Sequence, residues 1–226
     1  MLKKILVWDL PVRIFHWALV VCVSLSLVTA QLENDWIIWH AYCGYIILAL
    51  LLFRLSWGFI GSFHARFVNF IPSRSELKTY LNTGLTQRLG HNPLGALSVF
   101  AMLGVLLIQV VTGLFIDDEI SFQGPLQKYI SNDWASSFTS IHHLNQWLIY
   151  ILLGIHVGVI FYYWLIKGNN LVFPMIFGYK KINQSTNEKD ISMNLNESLD
   201  QFKDRVKALI VILSMIIFVI FIVQSH

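Results

Sequence analysis

The stretch that decides the fold runs from Thr139 to Ile166 and reads TSIHHLNQWLIYILLGIHVGVIFYYWLI. A helix needs about 20 mostly apolar residues to cross a bilayer, and this stretch exceeds that length. It contains three histidines, His142, His143 and His156, and the first and last of them are fourteen residues apart. Histidines in such a segment usually have a function, because an ionisable side chain in hydrocarbon is costly. Fourteen residues of α-helix turn to within about 40° of the starting direction and rise about 21 Å, so one helix presents two imidazoles on one face at two depths.

The composition of the 226-residue chain is that of a membrane protein. Hydrophobic residues account for 56% of it and charged residues for 13%, whereas a soluble domain carries about 25% charged residues. The formal charge of +3 does not indicate nucleic-acid binding, because the basic residues lie in loops that bracket apolar spans. Two cysteines, Cys22 and Cys43, fall within spans and are expected to be small packing residues.

Four further apolar segments have spanning length. The five predicted spans are about 11–31, 36–59, 93–115, 139–166 and 207–223. A polar loop over 61–91 contains a stretch, 74–85, that we expect to be a short interfacial helix. We therefore predict an all-α fold, with a transmembrane four-helix bundle over residues 1–180. A cytoplasmic linker over 181–206 and an additional C-terminal transmembrane helix over 207–226 are expected to follow.

The basic residues predict the orientation of these spans. With the N-terminus in the cytoplasm, 15 of the 16 Lys and Arg residues fall on the cytoplasmic side, and Lys128 is the exception. The outer segments carry acidic residues instead, among them Asp117, Asp118 and Glu119. We therefore expect a multi-pass protein with a cytoplasmic N-terminus.

Two more histidines in apolar segments complete a pattern, His16 in the first span and His40 in the second. With this orientation, His40 and His142 lie toward the outer side, whereas His16 and His156 lie toward the cytoplasm. Two imidazoles from two helices at each depth can hold a haem iron with both axial positions filled. Because the chain has no C-x-x-C-H motif, we expect two non-covalent, bis-histidine haem b groups in a di-haem bundle.

The adjacent His143 competes with His142 as the outer ligand. On an ideal helix the side chain of His143 points about 140° away from that of His156, whereas His142 shares its face. We therefore favour His142 as the ligand and expect His143 to hydrogen-bond near a haem propionate.

Two arginines are candidates for binding haem propionates. Arg54 follows His40 by fourteen residues, which puts it on nearly the same helix face at the level of the inner haem. It can bind a propionate or extend to the cytoplasmic interface. Arg13 precedes His16 by three residues and can bind a propionate or pair with Asp9. The sequence carries no nucleotide, flavin or metal-hydrolase motif, so we predict no catalytic residue.

Several motifs also resemble a known family. The segment VWDLPVRIFHW, 7–17, resembles the opening of bacterial di-haem cytochromes b, a group that includes bacterial cytochrome b561 and the b-type subunits of nickel-iron hydrogenases. The runs FRLSWG at 53–58, HARF at 64–67 and GHNPLG at 90–95 continue the match in order, over about residues 5–180. The resemblance implies four axial ligands, which are His16, His40, His142 and His156.

Two features depart from the family pattern. The family usually has Glu after the first histidine of the fourth helix, where this chain has His143. The fifth span lies beyond the family core and is expected to pack against it or to dock a partner. His91, at a loop-to-helix junction, is expected to be structural or near a quinone site and not a ligand.

The resemblance implies an electron-transfer cytochrome of the bacterial inner membrane that links a quinone pool to a periplasmic redox partner, for example a c-type cytochrome. The acidic outer loop at 117–119 is suited to steer a basic partner. The alternative is the membrane-anchoring cytochrome b subunit of a larger hydrogenase or dehydrogenase complex, a quinol-linked oxidoreductase. A haem or small-molecule transporter is disfavoured, because the sequence has no inverted repeat or broken helix. The expected partners are membrane lipid, quinone or quinol and a redox protein, with no nucleic acid.

Overall fold

The computed structural model of the protein describes residues 2–32, 35–86, 88–117, 122–183 and 200–224. The helices in chain order are α1 Leu10–Thr29, α2 Trp36–Ile60, α3 Arg74–Thr83, α4 Pro93–Gly113, α5 Asn132–Leu165, α6 Val172–Phe177 and α7 Phe202–Gln224. The strands are β1 Leu2–Leu6 and β2 Tyr179–Asn183. Short 3-10 turns lie at Phe67–Asn69 and Gln127–Tyr129. Helix therefore dominates the part of the chain that the structure describes.

Five of these helices, α1, α2, α4, α5 and α7, are long and apolar enough to cross a membrane. The shortest, α1, has 20 residues, which corresponds to about 30 Å of helix, the thickness of the hydrocarbon core. Many large apolar side chains on these helices are exposed. This is the surface that a helix presents to lipid, which is as apolar as the residues themselves. The prediction of an all-α membrane fold is confirmed.

The chain divides into two compact units. Unit 1 comprises Met1–Ile14, Leu55–Ala101 and Gly154–Ala208, and unit 2 comprises Phe15–Arg54, Met102–Leu153 and Leu209–His226. The boundaries fall within the five long helices. The predicted division at residues 180 and 206 follows composition along the chain, and it stays a prediction.

Two of the long helices begin earlier than their apolar runs. Helix α5 begins at Asn132, not at residue 139, and α7 begins at Phe202, not at residue 207. Each has an aspartate in its first turn, which is favourable beside the positive end of the helix dipole. Two elements extend into the predicted linker, 181–206: β2 ends at Asn183 and α7 begins at Phe202. Residues 184–199 of that linker lie outside the described residues.

The start of the chain pairs with the segment after α6. Strand β1 is antiparallel to β2, with Leu6 opposite Tyr179, and the Val7 and Trp8 N–H groups both donate to the Gly178 carbonyl. Gly178 has φ +86°, and a Cβ there would lie 2.8 Å from the Trp8 carbonyl oxygen. Only glycine fits this turn without strain.

A buried carboxylate fixes the first turn of α1. Asp9 is 1% exposed, and its Oδ1 accepts a hydrogen bond of 2.8 Å from the Val12 N–H, as an N-cap does. Its Oδ2 accepts a bond of 3.0 Å from Nε1 of Trp57, near the end of α2. One side chain thus satisfies an orphan backbone donor of α1 and the indole of a buried tryptophan.

The start of α7 is attached to the same part of unit 1. Asp200 accepts from the Leu10 N–H at 3.3 Å and forms an ion pair of 2.9 Å with Arg205. The Nζ of Lys207 donates to the carbonyl oxygen of Ile60, the last residue of α2, at 2.9 Å. The residues at the start of the fifth long helix and just before it therefore contact the first turn of α1 and the last turn of α2.

Helix α3 lies within the polar loop where an interfacial helix was predicted. Ser73 and Glu76 form a reciprocal capping box, and Gly84 ends the helix in the left-handed conformation. The Ser73 N–H, and next the Arg88 guanidinium at 2.8 Å, hold the pKa of Glu76 below its usual value. Tyr80 bonds to Tyr163 of α5 with 2.6 Å between the hydroxyl oxygens. Burial, together with that bond, raises the pKa of Tyr80 to about 12.

We expect Asp9→Ala to lower the free energy of unfolding by about 2–4 kcal/mol. The loss of an N-cap costs about 1 kcal/mol, and a buried indole N–H left without its acceptor adds about 1–3 kcal/mol. Denaturation with SDS in detergent micelles, followed by circular dichroism, measures the change. Ser73→Ala, which removes an exposed cap, is the control and should cost only about 1 kcal/mol. Equal losses in the two variants would contradict the role assigned to Asp9.

Candidate functional site

Unit 2 brings two of the predicted ligands together. The ring centroids of His40, on α2, and His142, on α5, are 6.2 Å apart, and the ring planes are inclined at 79°. Both side chains are half-buried in otherwise apolar helices. Two imidazoles from two helices therefore face each other across a short gap.

The hydrogen bonds of His40 define which of its ring nitrogens is free to bind a metal. Its Nδ1 lies 2.9 Å from the backbone carbonyl oxygen of Ser26, on α1. Because a carbonyl oxygen only accepts, Nδ1 carries the hydrogen and donates it. Nε2 is then unprotonated, with its lone pair available. Metal-bound histidines are commonly oriented by such a bond from the other ring nitrogen.

The hydrogen bonds of His142 lead to the same tautomer. Its Nδ1 lies 3.2 Å from Oγ1 of Thr112, on α4. The Thr112 hydroxyl donates its one hydrogen to the Ile108 carbonyl oxygen at 2.8 Å, as a back-bond within the helix. Oγ1 therefore accepts from Nδ1–H of His142, which leaves Nε2 unprotonated.

The pair fits a metal ion held between two imidazoles. An imidazole nitrogen bonds a first-row metal ion at about 2.0 Å, and the ring centre lies roughly 1 Å farther out, so two rings on opposite sides of one ion are about 6 Å apart. The observed 6.2 Å agrees with that separation. Neutral imidazoles with a free Nε2 are also the donors that haem iron takes in b-type cytochromes.

Two glycines lie beside this pair. A Cβ at Gly113 would lie 3.1 Å from Cε1 of His142, so a larger residue there would push against the ring. A Cβ at Gly44, one turn after His40, would meet no heavy atom within 4 Å. The space at Gly44 is therefore open, whereas Gly113 lies directly against the ring of His142.

The other two predicted ligands lie in different units. His16, in unit 2, is half-buried on α1, with its ring edge-on to Trp17 at 5.2 Å between centroids. His156, in unit 1, is half-buried on α5. Because α5 is one continuous helix, His142 and His156 keep the spacing of about 21 Å along its axis.

The structure gives the three other predicted cofactor-binding residues distinct environments. His143 is exposed, unlike His142 beside it. Arg54, on α2, is only 3% exposed, so it does not extend to a surface of unit 2. Arg13 donates from Nη1 to the carbonyl oxygen of Ile176, at the end of α6, at 2.7 Å. Their roles toward a propionate stay predictions.

Three polar residues near the outer pair were not predicted as functional from the sequence. Thr112 and Gln109 on α4 and Asn145 on α5 are polar side chains in apolar spans. Thr112 and Asn145 are each only 4% exposed. The signal that could have found Asn145 is its position three residues after His142, which puts both on one helix face.

His91 is enclosed by aromatic side chains in unit 1. Its ring centroid lies 4.6 Å from that of Trp8 and 4.7 Å from that of Phe70. Its role, structural or near a quinone site, stays a prediction.

The model of the family described as prokaryotic cytochrome b561 matches residues 7–178. The chain belongs to this family. It is therefore a membrane b-type cytochrome, and the family implies haem b as its cofactor. The match includes all four predicted ligands and ends before α7.

Curated relatives of this cytochrome are hydrogenase subunits by name. A probable Ni/Fe-hydrogenase B-type cytochrome subunit of Rhizobium leguminosarum bv. viciae is 24% identical over 78% of this chain and 88% of that protein. A probable Ni/Fe-hydrogenase 1 B-type cytochrome subunit of Escherichia coli (strain K12) is 24% identical over 77% of this chain and 89% of that protein. One from Cupriavidus necator is 21% identical over 79% and 88%, respectively. No solved structure matches the chain.

We expect His142→Ala to remove one haem from the purified cytochrome, because it deletes one of the two facing imidazoles. His143→Ala should keep the full haem content, because His143 is exposed and its neighbour faces His40. Haem absorbance per mole of protein measures both variants. If haem were lost from His143→Ala and retained in His142→Ala, the assignment of the outer ligand would be wrong.

Proposed function

We propose that this cytochrome carries electrons across a bacterial inner membrane through two haem b groups. His40 and His142 ligate the outer haem, and His16 and His156 ligate the inner haem. The observation that carries the proposal is the outer pair, whose ring centroids are 6.2 Å apart and whose Nδ1 atoms both donate to oxygen acceptors. The inner pair rests on the spacing of His142 and His156 along α5 and on the orientation predicted from the basic residues.

The side chains around the outer pair suit electron transfer better than the binding of an external molecule at the iron. Haem iron supplies a reversible one-electron couple when bound, and two imidazoles leave it no open axial position. The Nδ1–H of His40 and that of His142 are each held by an acceptor on a second helix. Ligands fixed in this way move little between oxidation states, because each ring is anchored at both of its nitrogens.

The charged residues that serve the inner haem come from two helices. Arg54 is buried on α2, and it follows His40 by fourteen residues, which puts it at the level of the inner haem. A propionate of the inner haem is a suitable anion for it. Arg13 serves the same group, or it remains with its carbonyl partner at the end of α6. His143, exposed beside His142, serves a propionate of the outer haem.

We infer that the redox partners of this cytochrome follow one of two alternative arrangements. In the first, the protein exchanges electrons with the quinone pool and with a periplasmic protein such as a c-type cytochrome. In the second, it is the membrane subunit of a nickel-iron hydrogenase, which the printed names of its curated relatives favour. Both arrangements use an N-terminus in the cytoplasm, and both pass electrons between the two sides of the membrane.

We expect the purified protein to contain two non-covalent b haems per chain with two resolved midpoint potentials. A pyridine haemochrome assay counts the haems, and a potentiometric titration of the α-band resolves the potentials. One haem per chain would contradict the two-haem proposal, because only one of the two histidine pairs would then hold a haem. A haem-free protein, obtained from cells supplied with haem, would refute the proposal.

We expect hydrogen gas to reduce the b haem in native membranes that contain this protein, if it is a hydrogenase subunit. Hydrogenase supplies electrons that reach the haem directly, so the reduction should persist after quinones are extracted. The α-band of reduced haem b is measured after addition of hydrogen, and membranes that lack the protein are the control. Reduction by quinol but not by hydrogen would favour the quinone-linked arrangement instead.

A further inference from the structure

Two polar contacts join α4 to α5 within unit 2. The first is the bond between Thr112 Oγ1 and His142 Nδ1, 3.2 Å long. In the second, the Asn145 side-chain amide donates to the side-chain oxygen of Gln109 at 2.7 Å and to the backbone carbonyl oxygen of Val105 at 3.0 Å. Asn145 is 4% exposed, so these bonds are made away from solvent.

The two contacts lie one helical turn apart. His142 and Asn145 are three residues apart on α5, and Thr112 and Gln109 are three residues apart on α4. Residues at this spacing are neighbours on one helix face. From the first contact to the second, the residue number rises by three on α5 and falls by three on α4, as in an antiparallel pair of helices. The second contact therefore fixes the register of the helix that carries His142 against the helix that carries its acceptor.

Apolar packing alone would define that register less sharply. The groove between α4 and α5 is otherwise lined by Met102, Val105, Leu106, Ile149, Leu152 and Leu153. Such side chains tolerate small rotations and shifts, because dispersion contacts have little directionality. Hydrogen bonds from a buried amide depend on direction, and breaking them leaves polar atoms unsatisfied in apolar surroundings.

We propose that Asn145 is a positioning residue for the outer haem ligand. By clamping α5 to Gln109 and to the Val105 carbonyl on α4, it holds His142 where Nδ1 meets Thr112 and where the ring plane stands nearly perpendicular to that of His40. This inference rests on the proposed function, since it assigns the pair as haem ligands.

The angle between the two ring planes has a spectroscopic consequence. The observed 79° is close to perpendicular. Perpendicular imidazoles keep the two dπ orbitals of low-spin ferric iron nearly equal in energy, which gives a strongly anisotropic electron paramagnetic resonance (EPR) signal. Rotation of one ring toward the other splits these orbitals and lowers the largest g value. A weaker Nδ1–H bond to Thr112 also makes the imidazole a poorer donor, which shifts the midpoint potential.

The test compares Asn145→Leu with Gln146→Leu in the full chain purified with its haems. Both variants delete one carboxamide from α5 at adjacent positions. The Gln146 amide donates to the Tyr150 hydroxyl on the same helix, at 2.7 Å, so its loss should not affect the register between helices. For Asn145→Leu we expect a lower largest g value for one ferric haem and a shift of one of the two midpoint potentials. For Gln146→Leu we expect both signals and both potentials to match the wild type.

A second variant keeps the inference testable if Asn145→Leu does not fold. Gln109→Met removes one of the two acceptors and leaves the Val105 carbonyl to Asn145, so it should produce a smaller change in the same signal. Unchanged EPR signals and potentials in Asn145→Leu, or in Gln109→Met where only that variant folds, would overturn the role of Asn145. Equal changes in Asn145→Leu and Gln146→Leu would also overturn it. A wild-type protein without two haems would instead refute the proposed function.

Discussion

The outer pair depends on one constraint, which is that each imidazole inside the apolar helices needs an acceptor for its Nδ1–H. His40 finds the Ser26 carbonyl on α1, and His142 finds the Thr112 hydroxyl on α4. An unpaired N–H in such surroundings costs several kcal/mol, about the order of the whole bond in an apolar medium. Satisfying it therefore fixes the tautomer, and this tautomer leaves Nε2 of each ring unprotonated.

The same constraint explains why the site needs helices beyond those that carry the ligands. In unit 2, α2 and α5 supply the imidazoles, whereas α1 and α4 supply the acceptors. Thr112 can accept because its own hydrogen is already given to the Ile108 carbonyl. Ser26 uses its backbone carbonyl oxygen, which no substitution at that position removes. The Ser26 hydroxyl also lies 3.2 Å from Nδ1 of His40, so a hydroxyl oxygen lies close to Nδ1 of both ligands.

The long apolar helices were predictable from the sequence. Which strands pair and which side chains contact one another between helices was not. Helix α2 was predicted over 36–59 and ends at Ile60, because polar residues bracket its apolar run. His142 was preferred to His143 from helix periodicity alone, and it is the one that faces His40. The β1–β2 pair was not foreseen, since β1 has two lysines in five residues and its partner strand lies near the other end of the family match. Asn145 was also missed, because its acceptors on α4 are set by tertiary packing.

The contacts at the start of α7 bear on the two roles expected for the fifth span, which are packing against the family core and docking a partner. A helix that only docked a partner could begin anywhere in a free linker. Here Asp200 accepts from the Leu10 N–H, and Lys207 donates to the last carbonyl of α2. Leu10 follows Asp9, the carboxylate that caps α1 and binds Trp57. The start of α7 and the residue two positions before it therefore contact the turn from which α1 continues to His16. The helix beyond the family match begins within unit 1, and from Leu209 onward it belongs to unit 2.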